Sequence, residues 1–389
     1  MTEAGPALLA DIERTTADTG FRRVALDHAR SVDATIDETR FSAAIHPRDP
    51  MLLHSLAEHR DASAALSQYF QIALQQHAAA MQILRAAFGE GHASIDALDF
   101  ACGHGRLLRF LSLSLPPTRI YAADLQTDAV AFVRDTFGVH ALASDPDPAR
   151  FAPGRRFDFI WVASLFSHLP EPLFHAWLAR LIALLTPRGV LCFSVRDAAL
   201  LADASTMPAT GLAYAHESEN AELATDIYGT AYASEAFVRA ALRGATGDER
   251  SYVRLPRALA NEQDLYVVAG DAKRDLAAMH GFRRGPWGWV DIRELAQGGT
   301  LHLQGWAASL DDGAVDAVEI DVDGVRHACR TSIERPDVAI AFGDERLGRS
   351  GWAFRCELAR GKRDGRVTVS ARTARGERAL LYTGSIGAH

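Results

Sequence analysis

The sequence predicts an α/β protein: a doubly wound, mostly parallel seven-stranded sheet with an antiparallel last strand, a helical N-terminal cap and a C-terminal all-β sandwich. Three observations predict it. From residue 95, short apolar runs alternate with helical patterns, as in a parallel sheet covered on both faces. Before residue 90, apolar residues recur at three- and four-residue steps. After about Gly281, apolar and polar residues alternate one by one. At 389 residues the chain is too long for one core, so three units are expected: 1–90, 91–280 and 285–389.

The elements follow in order. Ala64 to Phe88 carries Leu66, Phe70, Ala73, Leu74, His77, Met81 and Leu84 on one helical face, and Gly89-Glu90-Gly91 ends it. Strands are expected at Ile95–Phe100, Arg119–Asp124, Val139–Ser144, Phe157–Ala163 and Gly189–Val195. The helices between them are expected at Arg106–Leu115, Asp128–Phe137 and Pro172–Leu185. Two further strands, Ser251–Leu255 and Asp264–Ala269, lie too close for a helical crossover and should pair antiparallel at the sheet edge. The stretch 197–234, with Pro208, Gly211 and Gly229, reads as a lid insertion. Gly285-Pro286 reads as a linker with only a modest domain contact behind it, and Asp323-Gly324 as a hairpin turn.

Bulk properties exclude several classes. Hydrophobic residues at 48% and charged residues at 23% are those of a globular chain. A net charge of -8 speaks against a general nucleic-acid binder. Cys102, Cys192, Cys329 and Cys356 lie far apart with no metal-ligand spacing, as expected of a reduced, cytoplasmic protein that binds no metal. No run approaches a membrane span, and residues 1–20 lack the pattern of a signal peptide.

The chemistry sits at the strand ends. The first strand runs into Asp99-Phe100-Ala101-Cys102-Gly103-His104-Gly105-Arg106. Glycines there permit a sharp turn and close backbone approach to a ligand, and Asp99 is placed to accept from a ligand ammonium. Asp124 ends the next strand, where a carboxylate meets the ribose of a bound nucleoside. Counting G-x-G-x-x-G from Gly103 puts Leu108 at the third glycine, so the loop suits an amino-acid carboxylate better than a pyrophosphate. Trp161 to Pro170 leaves the fourth strand at the same edge. It contains His168, the residue suited to take a proton from an attacking hydroxyl or amine.

From Tyr69 to Ala269 the chain resembles the class I S-adenosylmethionine-dependent methyltransferases, whose loop acid-x-Gly-x-Gly-x-Gly is matched by Asp99, Ala101, Gly103 and Gly105. Ala101 departs from the first glycine. The resemblance implies S-adenosyl-L-methionine as cofactor. It implies that Asp99 and the Gly103–Gly105 backbone hold the methionine moiety, Asp124 the ribose, Leu125 the adenine ring, and Ser144-Asp145 the adenine amino group. Tyr69 would cover the cofactor, with Ala101, Cys102, Arg106, Ala163 and Ser164 completing its surroundings and His168 the catalytic candidate. His104 and Cys102 read as structural in their chemistry. Tyr214, His216, Glu217, Glu219, Tyr228 and Tyr232 form a polar–aromatic group suited to a polyol.

The sandwich shows no catalytic set. Its Gly305-Trp306-Ala307 and Gly351-Trp352-Ala353 elements and Arg335-Pro336-Asp337-Val338 resemble accessory modules of bacterial enzymes of polysaccharide biosynthesis. Trp287, Trp289, Trp306 and Trp352 read as sandwich core in preference to a sugar platform. The expectation is O-methylation of a small-molecule or glycan acceptor, with a homodimer left open. The alternatives are a nicotinamide-dependent oxidoreductase and a non-catalytic cofactor-binding scaffold.

Overall fold

The computed structural model describes residues 5–217, 224–359, 362 and 364–387. Four helices open the chain: α1 (Pro6–Ala17), α2 (Thr19–Val32), α3 (Pro50–His59) and α4 (Ala62–Phe88). The last three start on the aspartates Asp18, Asp49 and Asp61, whose carboxylates accept from the amides of Phe21, Met51 and Ala64. They share a core of Phe21, Leu52, Leu56 and Phe70 that also takes in Phe110, Leu113 and Leu380 from later segments.

The central region runs β1 (Ala97–Phe100), α5 (Leu108–Ser114), β2 (Ile120–Asp124), α6 (Thr127–Phe137), β3 (His140–Ala143), β4 (Phe157–Val162), α7 (Glu171–Ala183) and β5 (Leu185–Asp197). It continues through β6 (Leu212–Ala215), β7 (Thr230–Ala233), α8 (Glu235–Thr246), β8 (Tyr252–Leu259) and β9 (Gln263–Ala269). Strands β3, β2, β1, β4 and β5 are parallel neighbours, and β9 joins β5 antiparallel with β8 outside it. Alternate residues feed two separate cores: Phe159 and Trp161 one face, Ile160 and Val162 the other. The sheet has nine strands where the sequence predicts seven. The two added strands, β6 and β7, belong to the insertion, and β7 continues the sheet by pairing with Arg196 and Asp197 of β5. Each is only four residues long, too short for a visible alternation.

The C-terminal region contains β10 (Pro286–Leu295), β11 (Thr300–Ser309), β12 (Ala317–Val322), β13 (Val325–Cys329), α9 (Pro336–Phe342), β14 (Gly351–Glu357), β15 (Asp364–Arg372) and β16 (Arg378–Gly387). Sheets β10-β11-β14 and β13-β12-β15-β16 pack around Val290, Leu303, Ile320, Trp352 and Leu381. Helix α9 was not expected in an all-β unit; Pro336 starts it where Arg335-Pro336-Asp337-Val338 was read as a motif. The echoing Gly-Trp pairs face each other crosswise: Gly305 opposes Trp352 and Trp306 opposes Gly351. Trp352 alone of the four tryptophans is core. Trp289 stacks on His59 of α3 at 4.7 Å, and Trp306 lies 5.8 Å from Phe342.

Side-chain hydrogen bonds join the sandwich to the cap helices α2 and α4. Ser67 accepts from the Thr383 amide at 2.9 Å, His28 meets Ser370 Oγ at 3.0 Å, and Gln71 donates to the Gly288 carbonyl at 3.1 Å. Ser67 and His28 are buried there, and burial lowers the His28 pKa to about 4. Helix α4 is the spine of the molecule: one face carries β16, and Gln75 on another ties down the β8–β9 turn through Ala258 and Ala260. Among the described residues no helix is long and apolar enough to cross a membrane.

Candidate functional site

The carboxyl ends of β1, β2, β4 and β5 open into one cavity of about 320 Å3, closed by residues of α3, α4, the insertion and the β8–β9 turn. This is the edge where open parallel sheets bind ligands.

The loop after β1 turns through three left-handed residues, Ala101 (φ 57°), Gly103 (φ 51°) and Gly105 (φ 78°). The two glycines serve different ends. A Cβ at Gly103 would meet nothing within 4 Å, so this backbone is bare towards the cavity. A Cβ at Gly105 would fall 2.5 Å from the Phe137 ring. Gly105 therefore lets α6 pack close and does not line the cavity, contrary to the sequence expectation. Leu108, at the place of a third glycine, is fully buried in the core. The third glycine of a dinucleotide loop allows close helix–strand packing, and a leucine filling that space departs from the pattern.

Asp124 is tied to this loop: its Oδ2 accepts from the Gly103 amide at 2.8 Å and its Oδ1 from the Gln126 amide at 2.9 Å. Asp99 lines the cavity while only 4% exposed. Burial, then the neighbouring Asp124 charge, raises its pKa to about 8. Burial also raises Asp124, against the opposing pull of its two backbone donors. Two buried acids repelling each other in a cavity are relieved by a cation. Cys102 lines the cavity with its thiol pushed well up by burial, so it is no nucleophile.

Leu125, 37% exposed, lies beside them with Ser144, whose buried hydroxyl has no hydrogen-bond partner among the described residues. Ala101, Arg106, Ala163 and Ser164 line the cavity too. Asp145 does not; its carboxylate accepts from the Asp147 amide at 2.8 Å and shapes its own turn. Nor does Tyr69. It is fully buried on α4 with its hydroxyl donating to Asp49 at 2.6 Å, because its position on the apolar face points it into the cap core.

His168 lines the cavity at 4% exposure, with its Nδ1 2.6 Å from the Gly229 carbonyl and its ring stacked on Tyr228 at 4.4 Å. A carbonyl only accepts, so Nδ1 carries the proton and the lone pair of the neutral ring is on Nε2. The insertion is laced to this segment by Gly229 and Ala231 amides donating to the His168 and Ser167 carbonyls at 2.9 and 2.8 Å. Behind it, the Ser164 amide donates to Ser194 Oγ at 2.8 Å, and Gln263 bonds both Ser194 and Ser164. Of the polar–aromatic group in the insertion, Tyr228 lines the cavity. Tyr214 and His216 instead bond the Thr225 carbonyl within the insertion, and Glu219 lies outside the described residues.

His46, His104 and Asp128 approach one another closely enough to suggest a metal site. Their geometry fits aromatic packing better. The two imidazoles lie parallel, 7° apart with centroids at 4.5 Å, so no single point lies in both ring planes, and Arg48 already neutralises Asp128.

The sequence reading missed the cavity residues of the cap and the hairpin, among them Asp49, Met51, Gln76, Leu259 and Gln263. Asp49-Pro50 is visible only as a helix start.

Residues 97–189 match the family described as "Methyltransferase domain". No curated protein sequence matches the chain significantly. Among solved structures, DesVI of Streptomyces venezuelae shares 16% identity, covering 58% of this chain and 99% of that one at a TM-score of 0.40. An O-methyltransferase family protein from Burkholderia thailandensis shares 16% identity, over 67% and 75%, at 0.38. An S-adenosylmethionine-dependent methyltransferase from Clostridium acetobutylicum shares 14%, over 48% and 90%, at 0.35. The match places a methyltransferase domain at residues 97–189.

Proposed function

We propose that this S-adenosylmethionine-dependent methyltransferase methylates a hydroxyl group on a small glycosyl acceptor, with His168 as the base. The observation that carries the reading is the placement of His168: it lines the cavity beside Ser164, and its ring is held in one orientation by Nδ1 at 2.6 Å from the Gly229 carbonyl and by the Tyr228 ring. When bound, the cofactor supplies a methyl group made electrophilic by the adjacent sulfonium.

The chain's own residues do the rest. Asp99 and the bare Gly103 backbone hold the amino-acid end, Arg106 stands near its carboxylate, and Asp124 takes the ribose hydroxyls. Leu125 offers an apolar face to the adenine, and the unpartnered Ser144 hydroxyl meets its polar edge. Ser194 and Gln263 fix Ser164 and with it the segment leading to His168. His168 accepts the acceptor proton as oxygen attacks, while the apolar walls keep the site dry. The choice of a sugar, and with it a cytoplasmic setting, draws on the resemblance of the Gly-Trp-Ala and Arg335–Val338 sequence elements to modules of polysaccharide-assembly enzymes.

The test is S-adenosylhomocysteine formation across a panel of glycosides. On whichever is turned over, His168→Ala should lower kcat by roughly 10²–10⁴ while S-adenosylhomocysteine affinity stays unchanged. A loss under fivefold would assign the rate to positioning alone, and turnover confined to amines would replace the hydroxyl.

A further inference from the structure

Arg109 on α5 is fully buried among the rings of Tyr69, Phe70 and Phe137, and its Nε has no hydrogen-bond partner among the described residues. A guanidinium in such surroundings needs a counter-charge. It reaches one through a single hydroxyl: Arg109 Nη2 donates to Tyr69 Oη at 3.1 Å, and the Tyr69 hydroxyl donates in turn to Asp49 Oδ2 at 2.6 Å. The other Asp49 oxygen accepts from the Met51 amide at 2.9 Å. A carboxylate has about four acceptor positions, so two are occupied and the orientation is set from behind.

Asp49 is 2% exposed, yet it lines the cavity together with Asp99. Its place within the cavity follows from its neighbours. The Asp49 amide donates to the His46 carbonyl at 2.9 Å, His46 stacks on His104 of the glycine loop, and Arg106 lies 6.0 Å from the Tyr69 ring. Asp49 is therefore tied to the glycine loop through His46 and to α5 through Tyr69, and it lines the same cavity as Asp99.

We infer that Asp49 is a second acid binding the α-ammonium of the cofactor, with Tyr69 and Arg109 as the positioning residues that hold it. This rests on the cofactor assignment. Tyr69 thereby matters to the cofactor without touching it. The second acid also explains how the site attracts an ammonium although Asp99, with its pKa raised to about 8, is largely protonated near neutral pH.

Calorimetry on the full chain with two ligands tests it: S-adenosylhomocysteine, and its desamino analogue with hydrogen in place of the α-amino group. Asp49→Asn should raise the Kd of S-adenosylhomocysteine at least tenfold and change that of the analogue by less than twofold. Asp49→Ser, which keeps a helix-capping oxygen, should do the same if the amide variant fails to fold. Tyr69→Phe should give a smaller loss with the same ligand selectivity. Equal weakening of both ligands would show that Asp49 merely supports the fold, and unchanged affinity in a folded variant would remove it from the site; either overturns the inference. Wild-type protein binding neither ligand would overturn the cofactor assignment itself.

Discussion

The two halves of the cavity are built in different ways. The nucleoside half comes from consecutive strand ends, β1, β2 and β3, and its side chains are fixed by short local bonds such as Gly103 to Asp124. The half beyond β4 is assembled from α3, α4, the insertion and the β8–β9 turn, segments more than 200 residues apart in sequence. The first is a property of the sheet. The second depends on what holds α4 in place, and α4 is held from outside by the sandwich.

Removing the sandwich is the strongest way to sharpen that contrast. A chain ending near Gly281 loses the Thr383–Ser67, Ser370–His28 and Gly288–Gln71 bonds. At about 1 kcal/mol each this is about 3 kcal/mol, and a domain of this size should lose roughly 6–12 °C in Tm. S-adenosylhomocysteine affinity should suffer less than turnover, because the nucleoside half rests on the sheet. Calorimetric melting and ligand titration of the truncated chain would show it. Equal loss in both halves, or no loss in either, would break the distinction.

A smaller effect concerns Asp99 alone. Its pKa of about 8 must fall when an ammonium binds beside it, so binding releases a proton. S-adenosylhomocysteine affinity should rise about tenfold per pH unit from roughly pH 6 and flatten near pH 8. Without ligand the sign reverses: the stability this residue contributes is complete below its ordinary value of 3.8 and is lost as pH rises through about 8. Asp99→Asn should flatten both profiles. Titrations in buffers of different ionisation enthalpy count the proton, and an affinity independent of pH would dismiss the charge pairing.

The smallest expected effect tests the loop backbone. Ala101 sits at φ 57°, a conformation that costs an L-residue roughly 1 kcal/mol and glycine nothing. Ala101→Gly should stabilise the protein by about 0.5–1 kcal/mol in denaturant melts without altering acceptor turnover. A destabilised variant would show that the alanine methyl packs where its backbone is strained.

Legibility followed the same division. Asp99, Gly103, Asp124, Leu125, Ser144, Ala163, Ser164 and His168 could be read because strand ends follow one another at helix-length intervals, and topology brings them to one edge. Asp49, Gln76 and Gln263 could not. Which face of a helix meets a cavity, and which turn closes it, is decided by long-range packing that no local period records. Tyr69 shows the limit from the other side. Its spacing marks an apolar helix face, but its hydroxyl partner lies 20 residues away in a different helix. Gly105 looked like Gly103 because both need a left-handed backbone, and only the position of Phe137 separates them. The strands of the insertion were hidden because they exist only by pairing with the end of β5.

The crossed Gly-Trp pairs of the sandwich carry a consequence for how that unit finds its own alignment. A Cβ at Gly305 would lie 3.0 Å from the Trp352 indole and 2.1 Å from the Trp289 carbonyl, so the glycine is the notch that the indole fills. Next along the ladder Trp306 faces Gly351, whose missing Cβ makes room for Ile333 and Arg335 instead, 2.9 and 3.0 Å from where it would lie. Sliding β14 along β11 by one residue would set Trp352 against Gln304 or Trp306, and its indole would lose the notch at Gly305. The Gly305–Trp352 pair acts as a tooth in a notch, favouring a single strand register where plain alternation of apolar residues would tolerate several.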